Sequence, residues 1–404
     1  MPAEPYTIEV RPEDAALLEL DWAQSILDWK TPRLVDLPRG ISRHSVRFCA
    51  FDHGTFAIKE LPLRAAQRDY EVLRQLESQG GPAVRAHGLV VRTGEDPGSE
   101  RAACLITRYV DYSFSYRELL SGRDFGPRRP QLLDAFAWLL AELHLLGCFW
   151  SDCSLSNVLY RYDAGTIDTI MVDAETASVY PSVSDGQRRA DLEIMAENVA
   201  GEMADIAAER GGPLDQADLQ IGEDIRRRYE ALWAEIAVEE RFTPREQYRI
   251  QERINRLNEL GFEIDAIEVV PHVDRDHVHL KTKVADRNYH RNRLRELTGI
   301  EAGENQARQI LADLQYFALG QGGADTRTGR ALTAVRWRTE AFEPTLKRLR
   351  EVIPPTADPV QAYCDLLHLR YMLSLEQKRD VGTATAFEAW VRFGRPGYPL
   401  PGGS

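Results

Sequence analysis

Between Thr31 and Leu280 the chain contains a single lysine, Lys59. Of the 50 lysines and arginines, six are lysine: Lys30, Lys59, Lys281, Lys283, Lys347 and Lys378. Every other Lys/Arg position in that long stretch is an arginine. The two are not equivalent, because arginine is a broad planar fork and lysine a compact charge on a thin stem. A position that keeps lysine against this drift is one that needs its shape. Lys59 ends the apolar run Phe56-Ala57-Ile58. Upstream, the run Ser45 to Phe51 and the turn Asp52-His53-Gly54 complete a β-hairpin pattern over residues 36–60. A lone strand-end lysine is most often just a solvated charge. Whether this one is more depends on the residues downstream of it.

The bulk composition excludes several classes. The chain has 404 residues, 43% hydrophobic and 28% charged, as in globular proteins with two or three domains. Its net charge of −13 argues against nucleic acid or an anionic membrane as a partner of the whole chain. No run of 18 apolar residues predicts a membrane span, and Met1-Pro2-Ala3-Glu4-Pro5 has no secretory pattern. The five cysteines are odd in number and form no CxxC pair, so reduced thiols and a cytoplasmic location are expected.

Residues 1–35 read as a helical leader, with Leu17, Leu18, Leu20, Trp22, Ile26, Leu27 and Trp29 on one side. A helix is predicted over 63–79, closed by Gly80-Gly81-Pro82, then strands over 84–92 and 102–110. Leu132, Phe136, Leu139, Leu140 and Leu143 mark an amphipathic helix over 130–147. Short strands come next near 158–160 and 167–172, then a helix over 188–210, and Gly211-Gly212-Pro213 marks a domain boundary. Beyond it, Thr243-Pro244 opens a helix that ends at Gly261. Residues 262–284 read as a hairpin, 287–298 as a basic helix, and helices continue to about 391 before a Gly/Pro-rich tail expected to be disordered over 396–404.

Three further features succeed Lys59 along the chain. A carboxylate on the next helix is placed to orient a lysine held over phosphates, and Glu71 is the expected partner. Glu60 falls on the opposite strand face, and Glu77 is the fallback. After the long helix, Asp152 and Asn157 stand five apart in a loop, able to reach one phosphoryl group. Asn157 is the only one of seven asparagines with an aspartate at that spacing. The strand Ile170-Met171-Val172 then ends in Asp173, a carboxylate suited to a hard divalent cation.

This order of strand lysine, helix glutamate, Asp-x4-Asn loop and strand aspartate resembles the protein-kinase-like superfamily. More narrowly it resembles the bacterial lipopolysaccharide-kinase-like group, in an actinobacterial family of unassigned function with a C-terminal extension. The resemblance covers about Leu37 to Arg210. It implies an α+β, two-lobed protein-kinase-like fold with an antiparallel-sheet N-lobe over 36–110 and a helical C-lobe over 111–210. A mostly helical α+β extension would occupy 214–395. It implies ATP in the cleft with Lys59 and Glu71 positioning phosphates, Asp152 as catalytic base, and Asn157 and Asp173 as Mg²⁺ ligands. Thr107, Arg108, Tyr109 and Val110 would meet adenine, and Asp191 would match the aspartate that buttresses the catalytic loop, though a first-turn helix acid is an equal reading.

The departures shape the functional expectation. The loop Arg39-Gly40-Ile41-Ser42-Arg43-His44-Ser45 has one glycine, so backbone N–H groups, Ser42 or Arg43 would cradle the phosphates. Trp150 and Ser154 flank Asp152, Ala174-Glu175 come directly after Asp173, and no Ala-Pro-Glu segment is present beyond them. The absence of a peptide platform points to a small-molecule, sugar or lipid-linked hydroxyl acceptor. The same departures fit a second reading, a catalytically inactive module that binds a protein partner through its C-terminal domain. Two weaker signals remain. His272, His277 and His279 on a hairpin could hold a metal, with exposed polar residues the default. Arg287, His290, Arg291, Arg293 and Arg295, with Tyr289, make a basic helix that could touch phosphate or nucleic acid, with a solvated face paired with acids the default.

Overall fold

The computed structural model describes residues 5–37, 43–116, 129–209, 211, 216–237, 240–242, 247–262, 264–270, 278–284, 287–320 and 327–396. The chain divides into two compact units. The first comprises residues 1–160, 169–240 and 284–286, and the second 161–168, 241–283 and 287–404.

The first unit begins with β1 (Tyr6–Val10), β2 (Leu34–Val35), β3 (Val46–Phe51), β4 (Gly54–Leu61), α1 (Leu63–Ser78), β5 (Ala86–Arg92) and β6 (Ala103–Arg108). The strands form a six-stranded sheet in the order β1-β5-β6-β4-β3-β2, and each pairing is antiparallel. Strand alternation sends successive β4 side chains to opposite faces. Phe56 and Ile58 join Leu17, Trp22, Ile26 and Trp29 in a buried cluster on one face. Glu60 points to the same side, where it accepts from Ser25 Oγ (2.9 Å), the Ile26 N–H (3.1 Å) and Arg92 (2.8 Å). Lys59 is left on the other face.

Residues 1–35 differ from the expected helical leader. Tyr6–Val10 is an edge strand paired to β5, and the leucines lie in short 3₁₀ segments, Pro12–Glu19 and Ile26–Asp28. Non-helical angles at Asp14 break the first of these. Leu17, Leu20, Trp22, Ile26 and Trp29 are buried against the sheet while Leu18 and Leu27 are exposed, a pattern that needs no continuous helix.

The rest of this unit is mainly helical. It contains β7 (Ser113–Phe114), α2 (Arg129–Leu145), β8 (Cys148–Phe149), β9 (Val158–Asp163), β10 (Thr166–Met171), β11 (Ser178–Val179), α3 (Asp185–Glu209), α4 (Gln216–Leu219) and α5 (Ile221–Ala237). α2 is buried along most of its length, and α5 packs on both α2 and α3. The unit therefore runs through Glu240, beyond the boundary expected at Gly211-Gly212-Pro213. The amphipathic face of α5, with Ile221, Ile225, Tyr229 and Ile236, is buried within it. All five cysteines are free and buried, and burial pushes the Cys49 thiol up to about 11 and the Cys104 and Cys148 thiols up to about 12.

The second unit contains a three-stranded sheet, β12-β14-β13, built from β12 (Glu240–Phe242), β13 (Ile264–Val270) and β14 (Val278–Val284), with α6 (Gln247–Glu259) beside it. Helices α7 (Tyr289–Thr298), α8 (Glu304–Gly320), α9 (Arg327–Trp337), α10 (Glu343–Arg350), α11 (Pro359–Gln377) and α12 (Gly382–Arg392) complete it. They surround a core that includes Trp337, Phe342, Tyr363 and Trp390. The β9–β10 hairpin tip, residues 161–168, belongs to this unit. There Asp163, fully buried, accepts from the backbone N–H groups of Asn305 (2.9 Å) and Gln306 (2.7 Å) in the first turn of α8. A carboxylate at a helix N-terminus satisfies donors that have no partner within the helix. β13 and β14 are neighbours in the sheet, as expected of the hairpin over 262–284, and His279 falls on β14; the turn with His272 and His277 lies outside the described residues, as do Thr243-Pro244 and residues 397–404. The basic helix is paired with acids, through His290–Glu304 (2.7 Å) and Arg293–Glu296 (3.6 Å). Among the described residues no helix is long and apolar enough to cross a membrane.

Candidate active site

Within the first unit lies a cavity of about 590 Å³ whose walls include Lys59, Asp152, Asn157, Asp173 and Glu175. Its upper wall comes from the sheet, with Val46, Phe48, Ala57 and Leu105, and its lower wall includes Val158 and Val172. Apolar surfaces with a few convergent polar groups are the usual make-up of a small-molecule site of this size.

Lys59 Nζ donates to Asp173 Oδ2 at 2.7 Å. It also lies 3.7 Å from Asp69 Oδ2 and 4.0 Å from Glu175 Oε2. Residues 59 and 173 thus face one cavity. The helix partner differs from expectation. Glu71 is exposed on α1, and the fallback Glu77 pairs with Arg11 and Arg74. Asp69, fully buried, takes the expected place. It lies on the buried face of α1 with Ala66, Val72, Leu73 and Leu76, whereas Glu71 is off that face. An acid inside an apolar stripe is the signal that the sequence offers for it. Asp69 Oδ1 accepts from the Ala174 N–H at 3.0 Å, which ties α1 to the residue after Asp173. Burial, followed by the charge of Asp173, pushes the Asp69 carboxyl up to about 7, with Lys59 opposing both.

The loop 150–157 is held from below. Asp191 accepts from the N–H groups of Trp150 (2.8 Å) and Ser151 (2.7 Å). It is backed by His144 Nε2 at 3.1 Å, and the hydroxyl of Tyr229 meets His144 Nδ1 at 2.7 Å. Burial holds the His144 pKa below its usual value. A neutral ring that donates from Nε2 to Asp191 and accepts at Nδ1 from Tyr229 satisfies both contacts. Glu202 receives the N–H groups of Leu155 (2.8 Å) and Ser156 (2.9 Å). Ser151 sits in the left-handed region with φ +59°, an arrangement that persists only where its surroundings enforce it.

These anchors present Asp152 and Asn157 to the cavity. Asp152 accepts from Asn198 Nδ2 at 3.2 Å and from Asn157 Nδ2 at 3.3 Å. Partial burial, then the charge of Asp173, raises the Asp152 pKa above the ordinary carboxylate value.

Residues 231–393 match a domain family described as "Domain of unknown function (DUF4032)". No curated protein matches the chain. Among solved structures, the chain is similar to WaaP in complex with acyl carrier protein, at 16% identity and a TM-score of 0.37, over 56% of this chain and 99% of that one. It is also similar to a double mutant of the PknI kinase domain of Mycobacterium tuberculosis, at 15% identity and a TM-score of 0.31, over 48% of this chain and 94% of that one.

The remaining expected residues divide. Thr107, Arg108, Tyr109 and Val110 all line the cavity. The N–H groups of Arg108 and Tyr109 are bonded to the carbonyls of Arg85 and Thr55, each at 2.9 Å. Gly40 and Ser42 lie outside the described residues. Arg43 is paired with Glu175, a residue that the sequence pattern marks only as a departure. Among the described residues, no three His, Cys, Asp or Glu side chains are grouped to hold a metal ion.

Proposed function

We propose that the first unit is an ATP- and Mg²⁺-dependent phosphotransferase acting on a hydroxyl of a small-molecule, sugar or lipid-linked acceptor. One observation carries this reading: Lys59, Asp152, Asn157 and Asp173, spread over more than a hundred residues of sequence, line a single cavity. The base would lie between the apolar walls, and at the edge 107–110 it would meet carbonyl groups where the N–H groups are already bonded. Lys59 would hold the phosphates with Asp69 as its helix partner.

The donor set fits a magnesium ion. Asn157 directs its amide nitrogen to Asp152, which leaves the amide oxygen as its ligating atom. Asp173 supplies a carboxylate oxygen, and one or two protein oxygens completed by phosphates and water are what magnesium ordinarily uses. When bound, the ion would offset charge on the transferring phosphoryl group. Asp152 would orient the acceptor hydroxyl and take its proton. A raised pKa suits that role, because proton transfer is most effective when the base's pKa lies nearer the working pH.

Asp152→Asn is expected to retain MgATP binding by calorimetry and to lose turnover by about 10²–10⁴-fold, the usual share of a general base. The assay uses γ-labelled ATP and a metabolite extract, wild type against variant. Absence of nucleotide binding by the wild type sinks the proposal. The non-catalytic reading draws on Glu175, a carboxylate 4.0 Å from Lys59 where phosphates would lie. Nucleotide binding that is indifferent to magnesium, with no turnover, supports that reading.

A further inference from the structure

Glu175 is 8% exposed, and two cations and an imidazole meet its carboxylate. The guanidinium of Arg43 pairs with Oε1. His44 Nε2 lies 3.1 Å from Oε2, and Lys59 Nζ lies 4.0 Å from the same oxygen. His44 is itself 8% exposed; its Nδ1 faces Glu100 at 2.5 Å, and its Nε2 accepts from Arg43 Nε at 3.2 Å. Residues 43 and 44 precede β3, Lys59 is on β4, and Glu175 is two residues past Asp173, so the contacts join segments more than a hundred residues apart. All four side chains line the same cavity. Two cations and an imidazole gathered on one acid, along the wall of a cavity, have the make-up of an anion site whose occupant is part of the protein.

We propose that Arg43, His44 and Lys59 form the subsite for the terminal phosphates of a nucleoside triphosphate, and that the Glu175 carboxylate occupies this subsite until the phosphates displace it. The inference rests on the nucleotide reading of the cavity and adds to it a phosphate-binding histidine and a competing internal acid. It also accounts for the loop with one glycine. Glycine lets a backbone approach a ligand closely, and with one glycine here the side chains of residues 43 and 44 supply the positive field. Glu175 offsets part of that field while the site is empty, since gathered like charges repel at this range.

The test measures binding to the full chain by calorimetry with three probes: MgATP, adenosine and inorganic tripolyphosphate. Glu175→Gln removes the competing charge and keeps the shape. It is expected to bind MgATP and tripolyphosphate about tenfold tighter than the wild type, a scale set by close like-charge repulsion, with adenosine affinity unchanged. His44→Gln and Arg43→Gln are each expected to weaken both phosphate probes by about tenfold, the scale of one charge-assisted hydrogen bond, again sparing adenosine. Unaltered or weaker phosphate binding by Glu175→Gln, with adenosine binding intact, overturns the inference and leaves the nucleotide reading standing. Tripolyphosphate binding that responds to Glu175 in a chain that ignores adenosine upholds the anion site and removes the nucleotide.

Discussion

At Asp69 burial and charge pull in opposite directions. Burial and Asp173 raise its pKa to about 7, against an ordinary value of 3.8, while Lys59 and the Ala174 N–H resist. The folded chain thus holds a proton over a pH range in which the unfolded chain has released it. Stability from this group is greatest below about pH 4 and declines as pH rises towards about 7, by at most about 1.4 kcal/mol per pH unit. Asp69→Asn removes this part of the slope, which urea denaturation at a series of pH values measures. An unchanged slope in the variant assigns it to another group. Ser151 makes a second residue-scale case. Its φ of +59° is enforced by Asp191 on its N–H, and its hydroxyl donates to the Thr176 carbonyl at 2.9 Å. Ser151→Val is expected to cost about 1–3 kcal/mol, because a β-branched residue resists that backbone region. Ser151→Gly loses the hydroxyl bond but carries no strain. Paired denaturation curves decide the order of the two variants.

At the scale of elements, a polar knot helps to fasten the N-terminal segment to the sheet. Arg92 and Glu60 are both nearly fully buried, and Arg92 donates to the carbonyls of Trp22 (2.8 Å), Gln24 (2.6 Å) and Arg101 (2.6 Å). Arg92→Met leaves the Glu60 charge without its ion partner and is expected to lower stability by about 3–5 kcal/mol. Adding Glu60→Leu to that variant should recover part of the loss, as denaturant titration of the single and double variants will show. Local pattern makes much of this architecture readable. β4 alternates and α1 carries one apolar stripe, whereas α2, expected to be amphipathic, is a long helix buried along most of its length. The placing of Glu60 away from the cavity is legible in the same way. The N-terminal segment defeats a local reading because Leu17, Leu20, Trp22 and Trp29 pack on a sheet that residues far along the chain complete. Glu71 has the expected chemical type but the wrong phase on the helix, and Asp69 has the right phase. The place of α5 depends on which helix faces it buries, a tertiary fact with no local trace.

Across the whole molecule, the covalent path and the compact units do not run in parallel. The chain passes between units at 160/161, 168/169, 240/241, 283/284 and 286/287, so no single cut yields either unit whole. Truncation after Glu240 strips Asp163 of the Asn305 and Gln306 donors and Ala164 of its bond to Gln361. Amide exchange in residues 161–168 is expected to accelerate by orders of magnitude in the truncated chain, since protection follows local stability. Equal protection in both chains refutes that dependence. The arginine-rich spelling of the first unit also has a practical result. Within its residues the only side-chain amines are those of Lys30, which is exposed, and Lys59, which lines the cavity. An acylating reagent in bulk solution should mark the former, and one carried in by a cleft-bound molecule the latter. The ratio of two labelled peptides in one mass spectrum then reports occupancy of the cleft before any acceptor is known.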